Sequence, residues 1–261
     1  MEHIISKDNL LIKEIKKLKE KKYRKDSNTF LVEGFRFAEE ALDSDFEVAQ
    51  IIISDSGEFK YENSSVKNKL QKNTKVFSTS DNLFKTICDT EHPQGIIAIV
   101  RNKLVEIRYE DGFYVLADKI QDPGNMGTII RTAHAAGALG VIITKGTVDI
   151  YNEKTLRATM GSIFKMPIIY DGDLSTVKKL RDDGFKLVTS SLECDKNFYE
   201  IDLNGKVIIT VGNEGNGISE DVYAISDLKI KIPMPGGAES LNAAVAASIM
   251  IYEVVRQKNN I

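Results

Sequence analysis

The chain has 261 residues, with 35 lysines and arginines against 38 aspartates and glutamates, for a net charge of −3. Near neutrality excludes a protein drawn to nucleic acid by a global positive field, and leaves only a local patch for that task. Cys88 and Cys194 lie too far apart for metal-ligand spacing, no apolar run is long enough for a membrane span, and the first residues lack a signal peptide's apolar core. A cytoplasmic protein is expected, with reduced thiols, no metal and no membrane partner.

Residues 10–25 carry eight basic and two acidic side chains, a local charge of +6. Leu10, Leu11, Ile15 and Leu18 recur at helical spacing, which predicts an amphipathic helix with a basic outer face. A solvated face and a phosphate-binding face are both open to such a run. The candidates for RNA contact are Lys16, Lys17, Lys21, Lys22 and Arg24, with Arg36 beyond them. Residues 30–32 read as a strand, 35–42 as a helix, 48–54 as a strand and 55–73 as a polar connection. A short strand at 75–78, a helix at 82–88 and a strand at 94–100 complete a small α/β domain over residues 1–105. The charged stretch 101–112 reads as the linker.

Residues 106–261 alternate again. Strands are predicted at 113–117, 140–144, 167–170, 186–190, 207–211 and 228–232. Helices are predicted at 128–136, 153–159 and 174–182, after Ser219, and from 241 to 257. This is the pattern of a mostly parallel sheet with helices on both faces.

Three strands end in loops rich in glycine and asparagine. They read Asp122-Pro123-Gly124-Asn125-Met126-Gly127, Gly212-Asn213-Glu214-Gly215-Asn216-Gly217 and Ile232-Pro233-Met234-Pro235-Gly236-Gly237. Ligands of open α/β sheets bind at the carboxyl ends of strands, so three such loops predict one composite pocket. Pro123 and Gly124 are expected to turn the chain, Asn125 to cap the helix that follows, and Arg131 to serve either a surface ion pair or a phosphate. The second loop lacks the G-x-G-x-x-G order, which excludes a nicotinamide site. Its Glu214 either closes the loop or meets substrate. Ser240 is the predicted cap of the last helix, whose small side chains suit close packing or a dimer seam.

Together these stretches resemble the three motifs of the SpoU (TrmH) family of RNA ribose 2′-O-methyltransferases. The first appears as Asn125, Gly127, Arg131 and Thr132, the second as Gly212, Asn213 and Glu214, and the third as Ile232-Pro233-Met234 with Ser240-Leu241-Asn242. The match covers residues 113–255 in order and spacing. Phe30-Leu31-Val32-Glu33-Gly34 and His92-Pro93-Gln94-Gly95-Ile96 look like the family's substrate-binding domain, related to a ribosomal-protein type (L30e-like).

The resemblance implies an α/β fold class, with a C-terminal SPOUT trefoil-knot domain and a smaller N-terminal L30e-like α/β domain. It implies S-adenosylmethionine as cofactor, a homodimer, and a structured RNA substrate, ribosomal rather than transfer RNA and not DNA. Thr189, Ser190, Gly212, Ile232, Met234 and Leu241 would touch the cofactor. The family argument makes Arg131 the base. A guanidinium is not deprotonated in proteins, so orienting the 2′-hydroxyl and an adjacent phosphate is the role expected of it. Asn125 would hold Arg131 or the ribose. Glu214, Ser240 and Asn242 would shape the substrate side, with Glu214 also available as a proton acceptor. Three other functions stay open: a ribosome-assembly protein with a vestigial cofactor pocket, a tRNA 2′-O-methyltransferase, and an enzyme methylating a base nitrogen.

Overall fold

The computed structural model describes residues 1–191, 194 and 196–259. The chain forms two compact units. One comprises Met1–Leu104 with Tyr151–Phe164, the other Val105–Ile150 with Lys165–Ile261.

The first unit is built on a five-stranded sheet of Glu2–Ile4 (β1), Thr29–Glu33 (β2), Glu47–Ser54 (β3), Lys75–Thr79 (β4) and Ile96–Arg101 (β5), in the order β1-β4-β3-β5-β2. β4 pairs in parallel with β1 and β3, and β5 runs antiparallel to β3 and β2. The basic stretch forms two helices, Leu10–Lys17 and Lys21–Ser27, rather than one. Leu11, Ile12, Ile15 and Leu18 pack into a core with Ile52, Phe84 and Ile97, leaving the lysines outside. The connection predicted to be merely polar carries helices Asp55–Glu62 and Ser65–Asn68. Propensity missed them because the first is barely amphipathic; Ser54 caps it by accepting from the Gly57 N–H at 3.1 Å.

The sequence reading assigns residues 151–164 to the C-terminal domain, but they belong to the first unit. The Tyr151 ring stacks on Phe30 at 4.3 Å between centroids, and Phe164 meets the edge of Phe46 at 5.5 Å. Tyr151 also donates to Asn102 Oδ1 at 2.6 Å. Aromatic burial, which chain order does not encode, decides the assignment.

The second unit holds a sheet of six strands, Phe113–Ala117 (β6), Gly140–Ile143 (β7), Ile168–Tyr170 (β8), Lys186–Ser190 (β9), Val207–Val211 (β10) and Leu228–Ile230 (β11). The order is β11-β9-β10-β6-β7-β8, with every pairing parallel. β6 and β10 are buried along their whole length, as strands covered on both faces must be. On one face Leu116, Ile142, Leu187 and Ile208 pack with Val177 and Leu180 of helix Ser175–Asp182. Elsewhere helix Ala243–Asn259 packs on β10 and on helix Pro123–Ala135. The chain runs from β6 outward through β7 and β8, then crosses to β9 and returns to lay β10 beside β6. That reversal sets the loops after β6 and β10 side by side, at the point where an open parallel sheet offers a crevice.

Candidate active site

The helix after β6 starts earlier than predicted, at Pro123, with Asp122 as its N-cap accepting from the Asn125 N–H at 2.7 Å. Proline suits the first helical position because its missing N–H would have had no partner there. Asn125 is therefore inside the first turn and not the cap. Its side chain, 9% exposed, turns inward.

There it joins the three loops. Asn125 Nδ2 donates to Glu214 Oε1 at 2.9 Å, and its Oδ1 accepts from Asn242 Nδ2, also at 2.9 Å. Glu214 further accepts from the backbone N–H groups of Gln121 and Asp122 at 3.2 and 3.3 Å. Asn242 in turn caps the last helix, accepting from Ala244 N and Val245 N at 2.9 and 3.2 Å. The predicted cap, Ser240, is exposed and lies before this turn. Asparagine wins the position because its longer side chain serves the helix with its oxygen and Asn125 with its amide nitrogen.

This arrangement redefines Glu214. Burial alone would raise its carboxyl, but the Asn125 amide and surrounding backbone N–H groups outweigh burial and hold it below the usual glutamate value. A carboxylate with three donors on it is a clasp between the first and second loops. Asn125, engaged at both ends, does not hold Arg131. Arg131 projects from the same helix, exposed, and no hydrogen bond or ion pair joins it to another described residue.

The second loop is closed by its own backbone. Asn213 and Gly217 exchange N–H···O bonds of 2.8 and 2.9 Å, and Asn213 Oδ1 accepts from Gly215 N and Asn216 N. A Cβ on Gly212 would lie 2.3 Å from the Gly217 carbonyl carbon. The glycine is needed for that closure. Asn213 Nδ2 reaches the Lys119 carbonyl at 2.9 Å, tying this loop to the first.

One residue escaped the sequence reading. Asp118, fully buried just past β6, accepts from Thr144 Oγ1 at 2.8 Å and from Ser219 N at 2.7 Å, locking the second loop to β7. An acid directly after an all-apolar parallel strand is the signal that would have found it.

The third loop borders a cavity of about 520 Å³ lined by Pro233, Met234, Pro235, Ala238 and Glu239, together with Asn197 and Lys231. Its size falls within the roughly 300–1,000 Å³ range of cofactor pockets. From Ile232 to Leu241 the backbone makes one main-chain hydrogen bond among described residues, Gly237 N–H to Met234 O at 3.1 Å. The remaining amides and carbonyls are free for a polar ligand. Of the predicted cofactor residues, Met234 lines this cavity, whereas Ser190, Gly212, Ile232 and Leu241 do not. Thr189 is also absent from the lining: it is fully buried, with its hydroxyl on Ser226 Oγ at 2.7 Å and the Leu228 carbonyl at 3.3 Å. No cluster of His, Cys, Asp and Glu suited to a metal ion occurs among the described residues.

Of the predicted RNA contacts, Lys16, Lys17, Lys21 and Lys22 are exposed. Arg24 is not free for phosphate in the same way, since its guanidinium donates to the Leu18 and Lys19 carbonyls at 2.7 Å. Arg36 pairs with Glu40 at 3.0 Å.

Residues 112–252 match the sequence profile of the SpoU rRNA Methylase family. The chain is also 37% identical over 257 residues, 97% of its length and 99% of the relative's, to the 23S rRNA (guanosine(2553)-2′-O)-methyltransferase RlmP of Bacillus subtilis. The chain belongs to the SpoU methylase family. Residues 9–98 match an MRM3-like substrate binding domain. Two solved methyltransferase structures agree in fold. The AdoMet-bound rRNA methyltransferase from Sinorhizobium meliloti superposes with a TM-score of 0.87 at 30% identity, covering 98% of this chain and 97% of that one. The AdoMet complex of AviRb from Streptomyces viridochromogenes gives 0.87 at 28% identity, covering 95% and 98%. Within this SpoU methylase the three loops that resemble the family motifs are joined through Asn125. No helix among the described residues is long and apolar enough to cross a membrane.

Proposed function

We propose that the protein is an S-adenosylmethionine-dependent methyltransferase that modifies a ribose 2′-hydroxyl in ribosomal RNA, working in the cytoplasm as a homodimer. The observation that carries this reading is the Asn242–Asn125–Glu214 chain, which gathers all three motif loops at the first turn of the helix that carries Arg131, exposed and without an ion pair to a described residue. The B. subtilis relative, named for the same reaction on 23S rRNA, and the two AdoMet-bound neighbours support substrate and cofactor. Val105–Ile150 with Lys165–Ile261 would form the catalytic domain, and Met1–Leu104 with Tyr151–Phe164 the RNA-binding one. The trefoil threading implied by the family belongs to the same proposal. Val245 and Tyr252, 48% and 50% exposed, lie seven residues apart on the last helix, with Leu241, 37% exposed, just before its cap; this apolar surface supports a homodimer seam.

The residues divide the work. When bound, S-adenosylmethionine supplies a methyl group on a positively charged sulfur. The free backbone groups of 232–241 and the Met234 wall would hold that molecule. Arg131, permanently charged, holds the 2′-oxygen and the neighbouring phosphate, and it stabilises the negative charge that grows as the hydroxyl proton leaves to water. Glu214 and Asn242 position the helix that bears Arg131. Exposed Lys16, Lys17, Lys21 and Lys22 bind RNA phosphates.

The test is incubation with ribosomal RNA and methyl-labelled cofactor, followed by alkaline hydrolysis. Label in an alkali-resistant dinucleotide is the expected result. Label in mononucleotides would mean base methylation, and no label or cofactor binding would favour a ribosome-assembly role.

A further inference from the structure

A second cavity, of about 610 Å³, lies wholly within the first unit, between β2, the loop before β5 and helix Glu153–Thr159. Its walls include Leu31, Phe37, Ile97 and Leu156, which present apolar and aromatic surface. Four carboxylates border it, and each is already engaged. Asp89 pairs with Lys19 at 2.7 Å, Glu40 with Arg36 at 3.0 Å, and Glu153 with Arg157. Glu33 accepts from the Asp89 N–H at 3.2 Å and from the Thr90 hydroxyl. Lys154 stands exposed on the rim with no ion pair to a described residue. Lys19 and Arg24, from the same +6 stretch that carries the exposed lysines, also border the opening. The basic surface therefore runs directly into an apolar hole.

That combination selects a ligand. A metal ion would need free carboxylates, and an acyl chain would not need a cationic rim. An unstacked nucleotide needs both an apolar or aromatic wall for the base and a cation for its phosphate, which is how proteins capture single-stranded RNA bases. Resting on the reading that the substrate is RNA, we infer that this cavity receives one extruded nucleotide of that RNA, its base against Leu31 and Phe37 and its phosphate at Lys154. The cavity then anchors the substrate and sets which RNA structures are accepted.

The test uses the full chain and the four ribonucleoside 5′-monophosphates as probes, by saturation-transfer NMR, with excess S-adenosylhomocysteine occupying the methyl-donor site. Saturation should reach the base protons of at least one nucleotide, disappear in Leu31→Trp, which fills the cavity, and weaken in Lys154→Glu, which leaves the core untouched. With ribosomal RNA, both variants should raise KM roughly five- to hundredfold while kcat stays within about twofold, the range of one lost base contact. Absence of transfer to all four nucleotides overturns the inference. So does transfer that survives both variants with KM unchanged. Should Leu31→Trp fail to fold, Lys154→Glu decides alone. If nucleotides bind as described but no RNA is methylated, the functional reading fails and the cavity assignment stands.

Discussion

The clasp formed by Glu214 makes a prediction that can be worked through. Glu214→Gln keeps the shape, but its amide nitrogen now faces one of the N–H groups the carboxylate accepted, Gln121 N or the Asp122 N and Asn125 amide. At least one hydrogen bond is lost, and the rest lose their charge assistance. Because Glu214 is exposed on its outer side, solvent screens part of the effect, leaving a destabilisation of about 1–2 kcal/mol. That corresponds to a fall in Tm of roughly 2–8 °C. The sign of the pH dependence follows from a folded-state carboxyl held below its ordinary value of 4.5. Such a group stabilises fully above that value, and the contribution is lost as pH falls through the lower folded value. Thermal melts of both proteins should therefore differ fully at neutral pH and converge only as pH falls from 4.5 through the lower folded-state value. Other depressed carboxyls, such as Asp227 and Glu253, are common to both proteins and cancel. Equal Tm values at neutral pH, or a gap undiminished in acid, would refute the clasp.

Arg131→Ala should retain cofactor affinity by calorimetry and lose about 10²–10³ in single-turnover rate, as expected when a fixed charge is removed from a developing oxyanion. Unchanged turnover would remove Arg131 from the mechanism. Gly212→Ala forces a Cβ to within 2.3 Å of the Gly217 backbone, so urea unfolding should show a loss of about 2–4 kcal/mol. Deleting residues 1–104 strands Tyr151, Ile163 and Phe164 without their aromatic partners. The truncated protein should aggregate in light scattering, and replacing 151–164 by a short polar loop should restore a soluble species that still binds S-adenosylmethionine.

The sequence by itself determined the second unit's plan. Its strands are short apolar runs with punctuating loops, and local pattern suffices to mark both, so β6, β9 and β10 fall at the residues the pattern predicts. The motif residues were equally legible, because chemistry at a strand end depends on residue type and order. Their roles were not. Asn125 looked like a cap because only its local neighbours were visible. Its partners, Glu214 and Asn242, are 89 and 117 residues away in sequence. Glu214 looked like a free carboxylate for the same reason, and the bond from the Thr189 hydroxyl to Ser226 was equally invisible. Asp118 and the first-unit affiliation of residues 151–164 also came only with the tertiary structure. Hydrogen bonds and aromatic burial between distant segments are decided by how strands are ordered in the sheet, and strand order leaves no periodic trace along a single chain.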